Sequence, residues 1–182
     1  MYAQRMAPLR SDEVDDETRQ LFDKGLRGPD GTPLNIFATL ARHPKLLKRW
    51  LPFATHVLSK NSLSPRHREL LILRTGYRCR STYEWGQHVL IALDCDLTQD
   101  EVDRVRQGPD AGWDEHESAL LRAADELHDE SLISDRTWMQ LAARYGDEEL
   151  IDVIATVGNY HVVAFLLNSL GVQLDEGVPD SL

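Results

Sequence analysis

Between Asp147 and Leu170 the chain is apolar around nearly the whole circumference of a helix, through Val153, Ile154, Val157, Val162, Val163, Phe165, Leu166 and Leu167. A helix of that kind is buried in its own domain or against a partner. A second segment makes the same demand. Ser64-Pro65 supplies an N-cap and a proline at the first helical position, opening a helix to about Tyr77 that carries the run Leu70-Leu71-Ile72-Leu73. That helix is expected to be largely buried. At 182 residues the chain supports one well-cored domain. No apolar run approaches the roughly 18–20 residues of a membrane span, so a soluble domain with no membrane partner is expected.

The remaining segments read as covering helices. Leu34 to Arg42 and Pro44 to Ser59 are two of them, with Pro52 expected to break or kink the second. Ser81 with Glu84 has the form of a capping box and starts a helix to about Asp94. Thr98 with Glu101 and Asp114 with Glu117 repeat that form, and Ser134 to Tyr145 follows. Strand-like alternation with hairpin turns does not appear, so the fold class is all-α, with a central antiparallel hairpin made by the Glu69 and His88 helices. The domain plan is an N-terminal helical arm over 1–33, including a charged amphipathic segment over 11–26. The helical domain proper follows over 34–171, then a flexible acidic tail over 172–182.

Thirty acidic against twenty basic residues give a formal charge of −10, which opposes nucleic-acid binding. The N-terminal stretch Met1-Tyr2-Ala3-Gln4-Arg5-Met6 lacks the apolar core of a signal peptide, and a cytoplasmic location is expected. Cys79 and Cys95 are read as two reduced thiols. The seven histidines include no pair at metal-site spacing such as His-Glu-x-x-His, so neither a metal nor an organic cofactor is expected.

Steps of three, four and seven residues put Ser81, Glu84, His88 and Cys95 on one helix face. Glu84, one turn before His88, is placed to hold the imidazole's tautomer and raise its pKa. Glu69 reaches the same spot if the two helices pack antiparallel. Ser81 sits at a helix N-terminus that favours an anion. The bland alternatives are capping for Ser81 and Glu84 and a structural role for His88. Tyr77, Tyr83 and Trp85 are packing groups or substrate-stacking walls. The candidate catalytic set is therefore His88, Glu69 and Glu84, with Ser81, Tyr83, Trp85 and Tyr77 as candidate substrate-binding residues. Asn159, Tyr160, His161 and Asn168 interrupt the last helix's apolar surface and serve a subunit contact or a pocket beside His88.

The stretch Leu63-Ser64-Pro65-Arg66-His67-Arg68-Glu69-Leu70-Leu71-Ile72-Leu73, followed by Tyr83-Glu84-Trp85-Gly86-Gln87-His88, closely resembles the carboxymuconolactone decarboxylase and alkylhydroperoxidase D-like superfamily. Flanking elements extend the likeness over roughly residues 34–171. Peroxidase members carry a glutamate, a Cys-x-x-Cys pair and then a histidine four residues on. Here Glu69 and His88 match, while Ser81 and Glu84 occupy the two cysteine positions. That departure removes the dithiol of peroxide reduction.

The resemblance therefore implies the cysteine-free decarboxylase branch: a lyase acting by cofactor-independent proton transfer on a small carboxylated lactone or acid. It also implies a homo-oligomer, whether dimer, trimer or hexamer. Two alternatives stand beside it. One is an alkylhydroperoxidase-like antioxidant protein using Cys79; the other is a non-catalytic helical binding or assembly module that keeps the fold without the reaction. An open apolar cleft in which Glu69 and His88 converge favours the enzyme, and a filled one favours the scaffold.

Overall fold

The computed structural model describes residues 2–10 and 12–182. Met1 of the N-terminal stretch and Ser11, the first residue of the expected charged segment, lie outside the described residues. The described residues form nine helices and no strand: α1 Asp16–Phe22, α2 Asn35–Leu40, α3 Pro44–Ser59, α4 Pro65–Arg78, α5 Thr82–Leu93, α6 Gln99–Gln107, α7 Glu115–Glu130, α8 Asp135–Ala142 and α9 Asp147–Leu170.

α4 is the axis of the fold. Every residue from Arg68 to Gly76 is buried, and α4 packs against α5, α7 and α9. Ile72 joins the core with Phe22, Leu47, Val57 and Tyr160. Leu71 joins a second with Leu120, Leu141, Val153 and Val157. Leu70 and Leu73 face a third with Trp85, Val102 and Val105. α9 lies along the first two clusters, burying Val153, Val157, Val163 and Leu167, yet leaves Ile151, Ile154, Val162 and Phe165 exposed. By length and composition α9 is apolar enough to cross a membrane, contrary to the expectation above. In this fold it is a core helix, with 56% of its most apolar stretch buried.

Ser64 accepts from the His67 N–H and opens α4 as expected. Thr98 and Glu101 form a complete capping box on α6. Asp114 caps α7 alone, because the Glu117 carboxylate is turned to Arg66. α3 runs unbroken through Pro52. Its continuity costs one backbone hydrogen bond in the turn before the ring. The expected helix over 11–26 contracts to the seven residues of α1, started by the Asp15 cap.

The acidic tail is docked rather than loose. Asp175 accepts from the Asn35 N–H at 2.8 Å, from Gln87 Nε2 at 2.8 Å and, in a short bond, from the Tyr83 hydroxyl. Farther on, Val178 and Pro179 lie against Gly86, where a side chain would collide with them. Charge in this segment suggested solvation; its specific partners on α5 override that tendency.

Gly171 ends α9 with a φ of +64°, and a Cβ there would run into the backbone of Ala3. Gly171→Ala combines left-handed strain with this collision, for at least about 2 kcal/mol. Thermal unfolding should show a Tm lowered by about 4–8 °C. An unchanged Tm would show that the N-terminal segment does not close over the end of α9.

Candidate active site

α4 and α5 are joined by the three residues Cys79, Arg80 and Ser81, with Arg80 in a left-handed conformation at φ 52°. This tight link folds α5 back along α4 and brings Glu69 to His88. His88 Nδ1 lies 2.7 Å from Glu69 Oε2, and Glu69 Oε1 accepts from Arg68 Nε at 2.8 Å. Burial alone would raise Glu69, but His88 and Arg68 beside it more than offset that and hold its carboxyl below the usual range. An ionised Glu69 accepts, so His88 Nδ1 carries the proton and Nε2 is left for chemistry. The sequence assigned the orienting role to Glu84 as well as Glu69; the geometry gives it to Glu69.

Glu84 behaves in the opposite way. It is buried, and neither carboxyl oxygen has a hydrogen-bond partner. Its carboxyl packs against Gly76 of α4, whose missing side chain makes room for it. Burial without compensation pushes it well above the usual carboxylate range, which favours its protonated form. The expected capping box at the start of α5 is absent, since neither Ser81 nor Glu84 makes the reciprocal bonds.

Glu84 and His88 open onto a cavity of about 360 Å³ between α2, α3, α5 and α9. Ile36 and Phe37, Trp50 and Leu51, Tyr83 and Gln87, and Tyr160 and Val163 form its walls, with Lys24 at the rim. The His88 ring meets Tyr160 edge to face at 4.9 Å, and Trp50 Nε1 donates to Asn159 Oδ1 at 2.9 Å. Such a pocket, apolar with a few convergent polar groups and near the lower end of ligand-site volumes, suits a small molecule.

Of the substrate-binding candidates, Tyr83 lines this cavity, and its hydroxyl is engaged by Asp175. Three others lie elsewhere. Ser81 is wholly buried with its hydroxyl unpartnered, off the cavity wall, so the anion role assigned to it has no place there. Trp85 is fully buried in the third core cluster, 4.8 Å from the Arg106 guanidinium, and Tyr77 packs beside it. Trp85 falls on the same sequence motif as His88 but is turned into the third core cluster rather than the cavity, and Tyr77 belongs to the last turn of α4. Cys95, grouped with His88 by spacing, instead contacts Arg68 at 3.6 Å. Asn159 and Tyr160 line the pocket, while His161 and Asn168 lie off its wall. Trp50 gave no signal, because an apolar ring on an amphipathic helix is ordinary core material.

Cys79 lies off the cavity wall, and desolvation pushes its thiol up to about 12. Cys79 and Cys95 are unpaired.

Residues 44–126 match the Carboxymuconolactone decarboxylase family. No curated protein matches the chain by sequence. Among solved structures, an uncharacterized peroxidase-related protein from Silicibacter sp. TM1040 is similar with a TM-score of 0.83 and 14% identity, over 97% of this chain and 95% of that one. An alkylhydroperoxidase AhpD core protein from Ralstonia eutropha JMP134 gives 0.79 and 19%, over 96% and 95%. The debrominase Bmp8 gives 0.77 and 15%, over 94% and 92%. The family match over residues 44–126 and the shared fold agree with the superfamily resemblance read from the sequence.

The opposite states of the two carboxyls make a stability test. Glu84 ionises near 4.5 in the unfolded chain, and burial raises it well above that in the fold. Its contribution is therefore full below pH 4.5 and lost as pH rises toward the folded value. Glu69 contributes in the reverse sense, fully above its unfolded value and lost as pH falls through its lowered folded one. Glu84→Gln removes only the first effect. In urea melts between about pH 5 and 8 the variant should gain on wild type by up to about 1.4 kcal/mol per pH unit until Glu84 ionises in the fold. Parallel profiles would mean that Glu84 titrates normally.

Proposed function

We propose, from the superfamily fold and the match of residues 44–126 to the decarboxylase family, that the chain is an enzyme performing cofactor-independent proton transfer and decarboxylation on a small carboxylated lactone or related acid. One observation carries the reading: Glu69, paired with His88, is held below the usual carboxylate range, while Glu84, one helical turn from His88 on the same cavity wall, is pushed well above it. Two carboxyls driven apart by environment are a way to run base and acid chemistry at one pH.

In this reading the C–C bond to the carboxylate breaks and CO2 leaves, with the electron pair passing to an enolate. The Glu84 O–H donates a hydrogen bond to the enolate oxygen, the role that Ser81 is too far from the cavity to fill. His88 Nε2, having taken up a proton from solvent, delivers it to the carbon to form the new C–H bond, and Glu69 stabilises the imidazolium that carries it before the ring returns to its neutral form. Apolar walls strengthen both interactions by excluding water. Lys24, the cation among the described lining residues, attracts the substrate's carboxylate.

The thiol route has less support. Among the described residues lining the cavity none is a cysteine, and the Cys79 thiol is protonated at neutral pH. The debrominase Bmp8 was also solved, as a cysteine-to-alanine variant, in complex with 2,3,4-tribromopyrrole, which supports a small ring as ligand for this fold. The open cavity argues against a purely structural module. A second copy of the chain is the proposed cover for Ile151, Ile154, Val162 and Phe165 of α9, as the superfamily's oligomers imply.

Turnover of a panel of small lactones, carboxylic acids and hydroperoxides tests the chemistry. For an accepted acid, His88→Ala should cut kcat/KM by about 10²–10⁴ with the fold intact, and iodoacetamide treatment should leave activity unchanged. Loss on alkylation, or turnover of hydroperoxides alone, would restore the thiol reading. Light scattering across a wide dilution range should return a multiple of 20.7 kDa, and Phe165→Asp should lower it. A mass of 20.7 kDa throughout rejects the oligomer.

A further inference from the structure

Outside the cavity, three helices bring together a second set of polar side chains. Cys79 caps the C-terminus of α4, His128 lies in the last turn of α7, and His161 lies midway along α9. One donor atom from each, Cys79 Sγ and a ring nitrogen of each histidine, lies within 4.8 Å of the other two. His128 Nδ1 is 2.9 Å from His161 Nε2 and 3.8 Å from Cys79 Sγ. A tetrahedral zinc ion with bonds of about 2.0–2.1 Å to nitrogen and 2.3 Å to sulfur needs its nitrogens about 3.3 Å apart and nitrogen and sulfur about 3.6 Å apart. The His128–His161 and His128–Cys79 separations meet this after shifts of a few tenths of an ångström, and Cys79 Sγ lies within 4.8 Å of the His161 nitrogen.

The surroundings are organised for the same purpose. His161 Nδ1 lies 2.8 Å from the Val157 carbonyl, so Nδ1 is the donor and Nε2 turns its lone pair to the cluster. Metal-bound histidines are oriented by such an outer bond. Cys79 is fixed at both ends of its peptide: its N–H donates to Thr75 O at 2.9 Å, and its carbonyl accepts from Asn168 Nδ2 at 2.9 Å. The nearby positive charge of Arg78 is taken up by Asp125 and Asp129, at 2.9 and 2.6 Å. All three donor side chains are half-buried, which leaves a route from solvent.

We propose that Cys79, His128 and His161 form a site for a divalent, borderline-soft transition-metal ion, zinc above all, with the fourth position open to water or an external ligand. One thiolate and two imidazoles are the donor set that zinc favours, and three protein ligands leave such an open position. On binding, the Cys79 S–H gives way to a metal–sulfur bond and its proton passes to solvent. The expectation of no metal rested on spacing within one segment. His128 and His161 stand 33 residues apart on different helices, beyond what a local motif reveals.

Cobalt(II), a coloured stand-in for zinc, is the probe. Titrating metal-stripped protein should give one ion per chain, with visible tetrahedral bands and a thiolate-to-cobalt band in the near ultraviolet, both removed by equimolar zinc. Cys79→Ser should abolish the thiolate band and weaken binding at least tenfold, and His161→Ala should do as much to affinity, with helix content checked by circular dichroism. X-ray absorption of the zinc-loaded wild type, which requires no variant to fold, should show one sulfur and two imidazoles. Failure to take up cobalt or zinc at micromolar concentrations, a bound ion without sulfur, or binding untouched by Cys79→Ser overturns the site.

Discussion

Four consecutive apolar residues on one helix cover its whole circumference, because each advances about 100° around the axis. Leu70, Leu71, Ile72 and Leu73 therefore need three separate clusters to receive them, and α4 becomes the centre of the molecule. Glu69 sits one residue before that run and goes into the interior with it. A buried carboxylate survives only if its charge is matched and its lone pairs are occupied. Arg68 and His88 provide that match, so the position of α5 against α4 is fixed by electrostatics as well as by packing.

The same physics gives two glutamates opposite characters within one hairpin. Both are almost entirely shielded from water. Glu69 is held low because two cationic or donor groups face it; Glu84 is pushed up because Gly76 offers space and no donor. Pairing rather than depth decides the outcome. The cavity thus holds an imidazole with a defined tautomer beside a carboxyl shifted toward its protonated form, and neither depends on a sequence signal stronger than a single Gly or Arg.

Local devices in the sequence were legible where they act locally. The Ser64-Pro65 start of α4, the capping box on α6 and the extent of α9 follow from nearest-neighbour chemistry. The Glu69 to His88 contact was legible because a three-residue link allows α5 little choice of direction. What failed depended on tertiary partners. Ser81 and Glu84 have the composition of a cap but are used otherwise, Trp85 shares the motif with His88 yet turns into the core with Tyr77 of α4 packed beside it, and the acidic tail is held by groups on α2 and α5. Trp50 and the meeting of His128 with His161 join residues that no sequence window contains together.

The tail's anchorage has a consequence for how the molecule is made. Tyr83 lies on the cavity wall, and the carboxylate that holds its hydroxyl belongs to Asp175, 92 residues later. At ordinary translation rates of about 5–20 residues per second, roughly 5–18 seconds separate the two on the ribosome. During that interval the α4–α5 hairpin exists first without α9 and then without the tail, with apolar faces not yet covered. The cavity is therefore a product of late folding, closed only when the segments beyond α8 arrive. A nascent chain stalled before α9 would present Glu69 and His88 on an unfinished surface, a natural client for chaperones.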